Sequence, residues 1–210
     1  MLKGIKGKRV LITGASGGIG SSMVYLFAEY GAIVGVHYNK SSGKADQIVR
    51  NIEKNGGVAE ALQGDLITDS PDQMIRSFID FFGGIDVLIN NAGAVIGPKD
   101  ILDLDVDSWD KTFQLNARAP FFLAQSAFEH MKGQGGGKII NISSIAVKYG
   151  GSAQTLHYGA AKSALEIVTL GLSKAGASHN ILVNTVRGGF IDTPFHQKLG
   201  RSDYEKRKRI

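Results

Sequence analysis

A tyrosine and a lysine four residues apart, Tyr158 and Lys162, form the pattern with the clearest catalytic chemistry. On a helix, side chains at this spacing lie on one face with Cβ atoms about 5–6 Å apart. Acid–base work near neutral pH needs the tyrosine pKa, ordinarily about 10, to be lowered, and a sheltered ammonium could lower it. An exposed surface pair is the commoner reason for this spacing. Ser143 and Ser144 strengthen the catalytic interpretation, because after a predicted strand their hydroxyls would face the same crevice.

A glycine-rich turn, TGASGGIG at residues 13–20, lies between the first predicted strand and the first predicted helix. Glycines at such a turn let the backbone approach a pyrophosphate, whose charge is stabilised at the helix N-terminus. Gly14, Gly18 and Gly20 have the spacing GxxxGxG rather than GxGxxG. The position of the turn favours nucleotide binding over a merely flexible loop.

The residues after the second predicted strand bear on the kind of nucleotide. NAD-binding chains usually carry an acid there, which binds the ribose 2′-hydroxyl. This chain has no acid between His37 and Asp46, and its candidate residues are Asn39, Lys40 and Ser41. A lysine with polar neighbours would attract a 2′-phosphate, although an ordinary polar loop has the same composition. The pattern favours NADP(H) over NAD(H).

Alternating apolar runs and helical patterns predict the elements that position these residues. The predicted strands cover residues 8–13, 32–38, 57–63, 85–90, 138–141 and 181–186. The predicted helices cover residues 18–30, 44–55, 71–82, 108–131 and 158–178. Strands separated by helices imply right-handed crossovers and a parallel sheet with helices on both faces. We predict a single doubly wound α/β domain, Rossmann-like, over residues 1–210, with its ligand site beyond the carboxyl ends of the strands.

Composition argues against several other classes of protein. At 43% hydrophobic and 20% charged residues, the chain is not typical of a disordered protein. It has no cysteine, and its histidines lack metal-ligand spacing, so no metal site is predicted. No apolar run approaches the roughly 18 residues of a membrane span, and we expect a cytoplasmic protein. The positive charge is concentrated in residues 201–210, which is more typical of a solvated face than of nucleic-acid binding.

Taken together, the motifs resemble those of the short-chain dehydrogenase/reductase family. The resemblance rests on the glycine-rich turn, Asp65, NNAG at 90–93, Asn116, NISS at 141–144, the Tyr158–Lys162 pair and a motif near 188–193. These motifs span nearly the whole chain in the family's order, with the spacing of its single-domain branch. Within that branch the sequence is most similar to NADPH-dependent 3-oxoacyl-[acyl-carrier-protein] reductases and related carbonyl reductases.

The resemblance implies hydride transfer between a nicotinamide and a ketone or secondary alcohol, possibly a 3-oxoacyl thioester. Tyr158 would protonate the carbonyl oxygen and Ser144 would bind it. Lys162 would lower the pKa of Tyr158 and hold the nicotinamide ribose, and Asn116 would position a water that links Lys162 to solvent. Ser143 is the less expected partner of the substrate, because the family pattern N-I-x-S ends at Ser144.

The resemblance also implies a set of cofactor-binding residues. Those at the pyrophosphate and adjoining ribose are Gly14, Ser16, Gly18, Ile19 and Gly20. Those at the adenosine end are Asn39, Lys40, Ser41, Asp65, Leu66 and Asn90. The remaining members are Ala92, Gly93, Tyr158, Lys162, Gly189, Ile191 and Thr193, of which Ile191 and Thr193 match carboxamide-binding positions.

The chain departs from the family toward its C-terminal end. The usual Pro-Gly after strand six is replaced by Gly188-Gly189, which would loosen the loop that meets the nicotinamide. Family members typically continue further and supply a seventh strand. We therefore expect that strand to be missing and residues 190–210 to form a substrate lid or a mobile tail. The natural gene product would then be longer, or the chain would be a weakened, association-prone reductase, or a dinucleotide-binding protein with little or no turnover.

The expected partner is a small-molecule or acyl-carrier-bound carbonyl substrate, with no role for nucleic acid or membrane. Phe121, Phe122 and Phe128 on the long predicted helix could line the seam of a homodimer or homotetramer. A helix buried in the core of one chain would show the same pattern.

Overall fold

Six parallel strands form one sheet in the order β3-β2-β1-β4-β5-β6 in the computed structural model, which describes residues 4–191 and 193. The strands are β1 Arg9–Ile12, β2 Ile33–Tyr38, β3 Val58–Gln63, β4 Val87–Asn90, β5 Gly137–Ser144 and β6 Ile181–Gly188. The helices are α1 Gly18–Glu29, α2 Ser42–Lys54, α3 Pro71–Phe82, α4 Val106–Phe113, α5 Ala119–Gly133, α6 Ala146–Tyr149 and α7 Leu156–Gly176. The predicted doubly wound α/β fold is confirmed, and the described residues contain no seventh strand.

The strand order reverses between β1 and β4, and this places the candidate site. Val10 of β1 pairs with Val34 of β2 on one side and with Val87 of β4 on the other. Chain connections leave the carboxyl ends of β1 and β4 in opposite directions, which opens a crevice beyond them. The residues that follow these two strands, Thr13 and Asn91, therefore lie at the floor of the crevice.

Two apolar cores cover the two faces of the sheet. Leu11 packs with Phe78 of α3 and Leu123 of α5 on one face, whereas Val10 lies in the core formed with apolar residues of α1 and α2 on the other face. The short central strands are apolar at nearly every position because both of their faces are covered. Gly35 of β2 has no room for a side chain, since a Cβ atom there would lie 2.6 Å from the Phe78 ring.

The long helix predicted over residues 108–131 is interrupted. It begins as α4 at Val106, passes through a π-helical turn at Gln114–Arg118 and continues as α5. Pro120 explains the interruption, because it lacks the N–H group that would bind the Asn116 carbonyl, and its ring would clash with that oxygen. The π turn places Asn116 at the centre of the fold, where it is fully buried.

Two further boundaries near the site differ from the prediction. Ser143 and Ser144 are the last residues of β5 rather than the residues after it, because pairing with β6 continues as far as Ser144 opposite Gly188. Helix α7 begins two residues before Tyr158. Of the predicted lid or tail at 190–210, all but residues 190, 191 and 193 lies outside the described residues. Across the described part of the chain, no helix is long and apolar enough to cross a membrane.

Candidate active site

Three side chains predicted to be catalytic come together beyond the end of β5. Ser144 is the last residue of that strand, and Tyr158 lies in the first turn of α7. The Tyr158 phenol and the Ser144 hydroxyl are hydrogen bonded. Lys162 lies one helical turn later, with Nζ 5.8 Å from the centre of the Tyr158 ring. The helix and the strand end therefore bring together the residues that the sequence separates by 18 positions.

Lys162 is an amine inside the protein, with only 2% of its surface exposed. Its Nζ donates a hydrogen bond to the Ile142 carbonyl oxygen at 2.8 Å. Burial lowers the pKa of Lys162 to about 8, because the charged form loses its hydration. No carboxylate among the described residues forms an ion pair with it. An ammonium has three hydrogens to donate, so two remain for a ligand.

The pKa of Tyr158 differs from the sequence-based expectation. Burial raises the pKa of the phenol above its ordinary value, and the hydrogen bond with Ser144 opposes that shift. The pKa of Tyr158 is therefore not lowered overall in this arrangement, and a lowering contribution from Lys162 stays a prediction. Removal of water destabilises the charged form of the phenol by more than the hydrogen bond with Ser144 stabilises it. A protonated phenol at neutral pH is the form that can act as an acid.

Asn116 fixes the loop that follows β4. Its Nδ2 donates to the carbonyl oxygens of Ala94 and Thr112, each at 2.8 Å, and its Oδ1 accepts from the Ala94 N–H at 3.2 Å. Gly93 lets this loop pass close to the site, since a Cβ atom there would lie 2.7 Å from Asn116 Oδ1 and 3.1 Å from Lys162 Nζ. Asn116, Gly93 and Lys162 are therefore neighbours, and the predicted role of Asn116 in holding a water stays a prediction.

The glycine-rich turn is locked to the end of β4. Gly14 has a φ of +63°, and a Cβ atom there would lie 2.9 Å from the Ala92 Cα. Asn91 Nδ2 donates to the carbonyl oxygens of Thr13 and Gly14 at 2.8 and 3.2 Å. Thr13 Oγ1 accepts from the N–H groups of Asn91 and Ala92, both at 3.0 Å. Thr13 and Asn91 both stand within motifs identified in the sequence, TGASGGIG and NNAG, but were not predicted to be positioning residues.

The start of α1 fits the pyrophosphate of a dinucleotide. This helix of 12 residues has no side-chain cap at Gly17 and no acid in its first turn, so its first N–H groups remain available to an anion. The space around Gly17 is open. A Cβ atom at Gly18 would lie 3.7 Å from the Thr193 side chain, so the segment after β6 meets the turn here. Gly20 has no room for a side chain, and Ser16 and Ile19 are half-buried.

The predicted adenosine end lies along the same edge of the sheet. Asn39, Lys40 and Ser41 are exposed between β2 and α2. Asp65 follows β3, which pairs with β2, and its Oδ1 accepts from the Ile67 N–H at 2.9 Å. The structure therefore places these four predicted residues together on the rim of the crevice.

Two of the predicted cofactor residues have side chains that are buried inside the fold. Asn90 is 1% exposed, and its Nδ2 donates to Asn141 Oδ1 at 2.9 Å and to the Pro120 carbonyl oxygen at 3.1 Å. The Leu66 side chain is part of the apolar core under α3 and α5. Both side chains are engaged inside the fold, so a contact of these residues with an adenosine would have to come from their backbone, and their predicted place beside the adenosine stays a prediction. At the nicotinamide end, Gly189 and Ile191 are exposed after β6.

A second polar cluster, which was not predicted from the sequence, joins α7 to β5 and β6. Ser143 Oγ donates to Glu166 Oε1 at 2.7 Å. Arg187 donates to both oxygens of the same carboxylate, at 2.8 and 2.7 Å, and holds the pKa of Glu166 below its usual range. The Ser143 hydroxyl is committed to this cluster, whereas that of Ser144 faces Tyr158.

Comparison with known proteins gives consistent matches. The family model described as short chain dehydrogenase matches residues 8–203. An L-rhamnose 1-dehydrogenase (NAD(P)(+)) from a Sphingomonas species is 36% identical over 209 residues, 99% of this chain and 81% of the relative. A 3-oxoacyl-[acyl-carrier-protein] reductase from Synechocystis is 37% identical over 190 residues, 90% of this chain and 76% of the relative. A short chain dehydrogenase from Burkholderia cenocepacia, solved with NADP, is 33% identical with a TM-score of 0.85, over 94% of this chain and 82% of that one.

Proposed function

Because the chain belongs to the short-chain dehydrogenase family, we propose that it transfers a hydride between NADP(H) and a ketone or the corresponding secondary alcohol. The observation that carries the proposal is the hydrogen-bonded pair of Ser144 and Tyr158 beside the buried Lys162. A protein that only bound a dinucleotide would need no hydroxyl pair at this position. The relatives bear the names of dehydrogenases and reductases, and no observation favours a binding protein without turnover.

The residues of the site divide the work of such a reaction. The bound nicotinamide supplies or accepts the hydride. The hydroxyls of Ser144 and Tyr158 donate hydrogen bonds to the carbonyl oxygen, and Tyr158 gives that oxygen its proton as the carbon receives the hydride. Lys162 uses the hydrogens that Ile142 leaves free to bind the ribose hydroxyls of the cofactor. Alcohol oxidation runs through the same atoms in reverse, with Tyr158 taking the proton.

A panel of carbonyl compounds tests this function. Acetoacetyl thioester and acetoin, both of which carry a ketone, would be incubated with NADPH or NADH, and cofactor oxidation would be followed by absorbance. The 37% identity to a 3-oxoacyl-carrier-protein reductase supports the thioester as substrate. Turnover above that of the Tyr158→Phe variant with at least one carbonyl compound would support the proposal. Cofactor oxidation equal to that of the variant with every compound would contradict it.

We expect NADPH to bind more tightly than NADH, and Lys40→Glu to narrow or reverse the difference. Lys40 is exposed beside Asn39 and Ser41, and a charge-assisted hydrogen bond to the 2′-phosphate would contribute about 1.5–3 kcal/mol, roughly ten- to a hundredfold in affinity. Fluorescence titration at low salt measures both dissociation constants. Lys54→Glu, at the far end of α2, makes the same charge change and should leave the ratio nearly unchanged. Equal affinities of the parent for both cofactors would contradict the preference.

The outer face of α5 and α7 supports a homodimer. An open groove of about 460 Å³ is lined by Phe113, Phe121 and Phe122 together with Val168 of α7. Phe122 is 39% exposed, whereas Phe128 packs against the core of its own chain. Phe128 therefore fits the interpretation of a helix buried in the core of one chain, and Phe122 fits that of a homodimer seam. The exposed ring of Phe122 is available to a second copy.

Phe122→Glu is expected to weaken self-association at least about tenfold, because it places a charge in an apolar contact. Sedimentation velocity over a concentration series gives the dissociation constant. Phe81→Glu is the matched control, since Phe81 is an exposed phenylalanine on α3. An unchanged dissociation constant for the Phe122 variant, or a parent that is monomeric throughout, would contradict the proposed seam.

A further inference from the structure

His37 lies inside the sheet near the end of β2, with 2% of its surface exposed. Its Nδ1 accepts a hydrogen bond from the Gly14 N–H at 2.9 Å, and its Nε2 lies 3.0 Å from the Gly64 carbonyl oxygen. An amide N–H can only donate and a carbonyl oxygen can only accept. The imidazole is therefore neutral in this arrangement, with its proton on Nε2.

The two loops that this ring joins are both parts of the candidate cofactor site. Gly14 opens the glycine-rich turn, and the neighbouring Ala15 N–H donates to the His37 backbone oxygen at 2.8 Å. Gly64 immediately precedes Asp65 on the rim. One side chain thus holds the pyrophosphate turn and the adenosine rim at a fixed separation.

We propose that His37 is a positioning residue for the cofactor, and that dinucleotide affinity depends on its imidazole being neutral. This inference rests on the proposed function. A proton added to Nδ1 would point directly at the Gly14 N–H, leaving two donors face to face at 2.9 Å. Either the ring or the turn would have to move, and the turn forms the pyrophosphate site.

The surroundings of the ring set the pH range of this effect. Among the described residues, the charged groups that face it are Asp65 and Asp69, both in the loop after β3, and they favour the protonated ring. Burial outweighs them and lowers the pKa of His37 below that of an ordinary histidine. Affinity should therefore be constant at neutral pH and fall only as the pH drops below about 6.5.

The test compares NADP⁺ binding by the parent and three variants between pH 5 and pH 8, using isothermal titration calorimetry. His37→Asn places a non-titrating acceptor near the position of Nδ1 and should bind within about threefold of the parent at neutral pH. His37→Phe keeps a ring but leaves two buried backbone groups unpaired, and should weaken binding at least about tenfold. His179→Gln is the control, because its half-buried ring packs against Phe128 beyond the other end of the sheet.

We expect the affinity for NADP⁺ to fall at acidic pH in the parent and in His179→Gln but not in His37→Asn. Far-ultraviolet circular dichroism should show that all of the proteins are folded across this pH range. The phosphate of NADP⁺ titrates equally for every protein. The ratio of the NADP⁺ dissociation constants of the parent and His37→Asn at each pH therefore reports only the effect of protonating the His37 ring. An identical pH dependence in the parent and His37→Asn would overturn the proposal. Unchanged affinity in His37→Phe would also overturn it. A parent that binds neither NADP⁺ nor NAD⁺ at neutral pH would overturn the proposed function together with it.

Discussion

Replacing Tyr158 with phenylalanine is expected to lower kcat by at least about a hundredfold while leaving the dissociation constant for NADPH within about threefold. The substitution keeps the ring and removes one hydroxyl, so the packing at the start of α7 stays intact. The hydroxyl is the proposed proton donor to the substrate oxygen, and its hydrogen bond with Ser144 shows that it reaches the end of β5. Steady-state kinetics at saturating cofactor and fluorescence titration measure the two quantities.

Tyr25→Phe is the matched control for this experiment. Its phenol lies on the outer surface of α1 and is hydrogen bonded by Asn51 at 3.2 Å, away from the candidate active site. The control should therefore retain the kinetic constants of the parent. A Tyr158→Phe enzyme that turns over within threefold of the parent would show that another group donates the proton.

Replacing Lys162 with methionine is expected to impair catalysis and at the same time stabilise the cofactor-free protein. Lys162 is 2% exposed, and a shift of its pKa from 10.5 to about 8 corresponds to about 3 kcal/mol of unfavourable burial at neutral pH. Loss of the bond to Ile142 offsets about 1 kcal/mol of that, so the net gain should be about 1–2 kcal/mol. Cofactor affinity and kcat should both fall, because the ammonium serves both in the proposed mechanism.

The gain in stability should shrink as the pH rises. Between pH 8 and pH 10.5 the unfolded chain holds the Lys162 proton and the folded chain does not, so the contribution of this group to folding becomes more favourable with pH. The stability difference between variant and parent should therefore fall by about 2 kcal/mol between pH 7 and pH 9.5. Urea unfolding at both pH values measures it.

Lys174→Met is the control for that measurement, since Lys174 is exposed in the last turn of the same helix. Its effect on the free energy of unfolding should stay within about 0.5 kcal/mol at either pH. Two results would show that the buried ammonium does not destabilise the fold. One is a Lys162→Met protein that is less stable than the parent at neutral pH, and the other is a stability difference that does not change with pH.

The sequence determined the features that depend on near neighbours along the chain. Strands and helices follow from the periodicity of apolar residues, and the parallel sheet follows from their alternation. The placing of Tyr158 and Lys162 on one helix face needs only the helical repeat. Even the π turn has a local cause, since Pro120 lacks the N–H that an α-helix would use to bind the Asn116 carbonyl.

The tertiary structure alone decided which polar groups meet and which are removed from water. From the sequence, Ser144 is favoured over Ser143 as the substrate-binding serine only by the family pattern. In the fold, the Ser143 hydroxyl bonds to Glu166 and the Ser144 hydroxyl bonds to Tyr158. The Asn90 side chain bonds to Asn141 inside the fold, a contact that the sequence did not predict. The direction of the Tyr158 pKa shift also reversed, because burial depends on atoms contributed by distant segments. Hydrogen bonding and desolvation are set by distance in space, and spacing along the chain does not encode them.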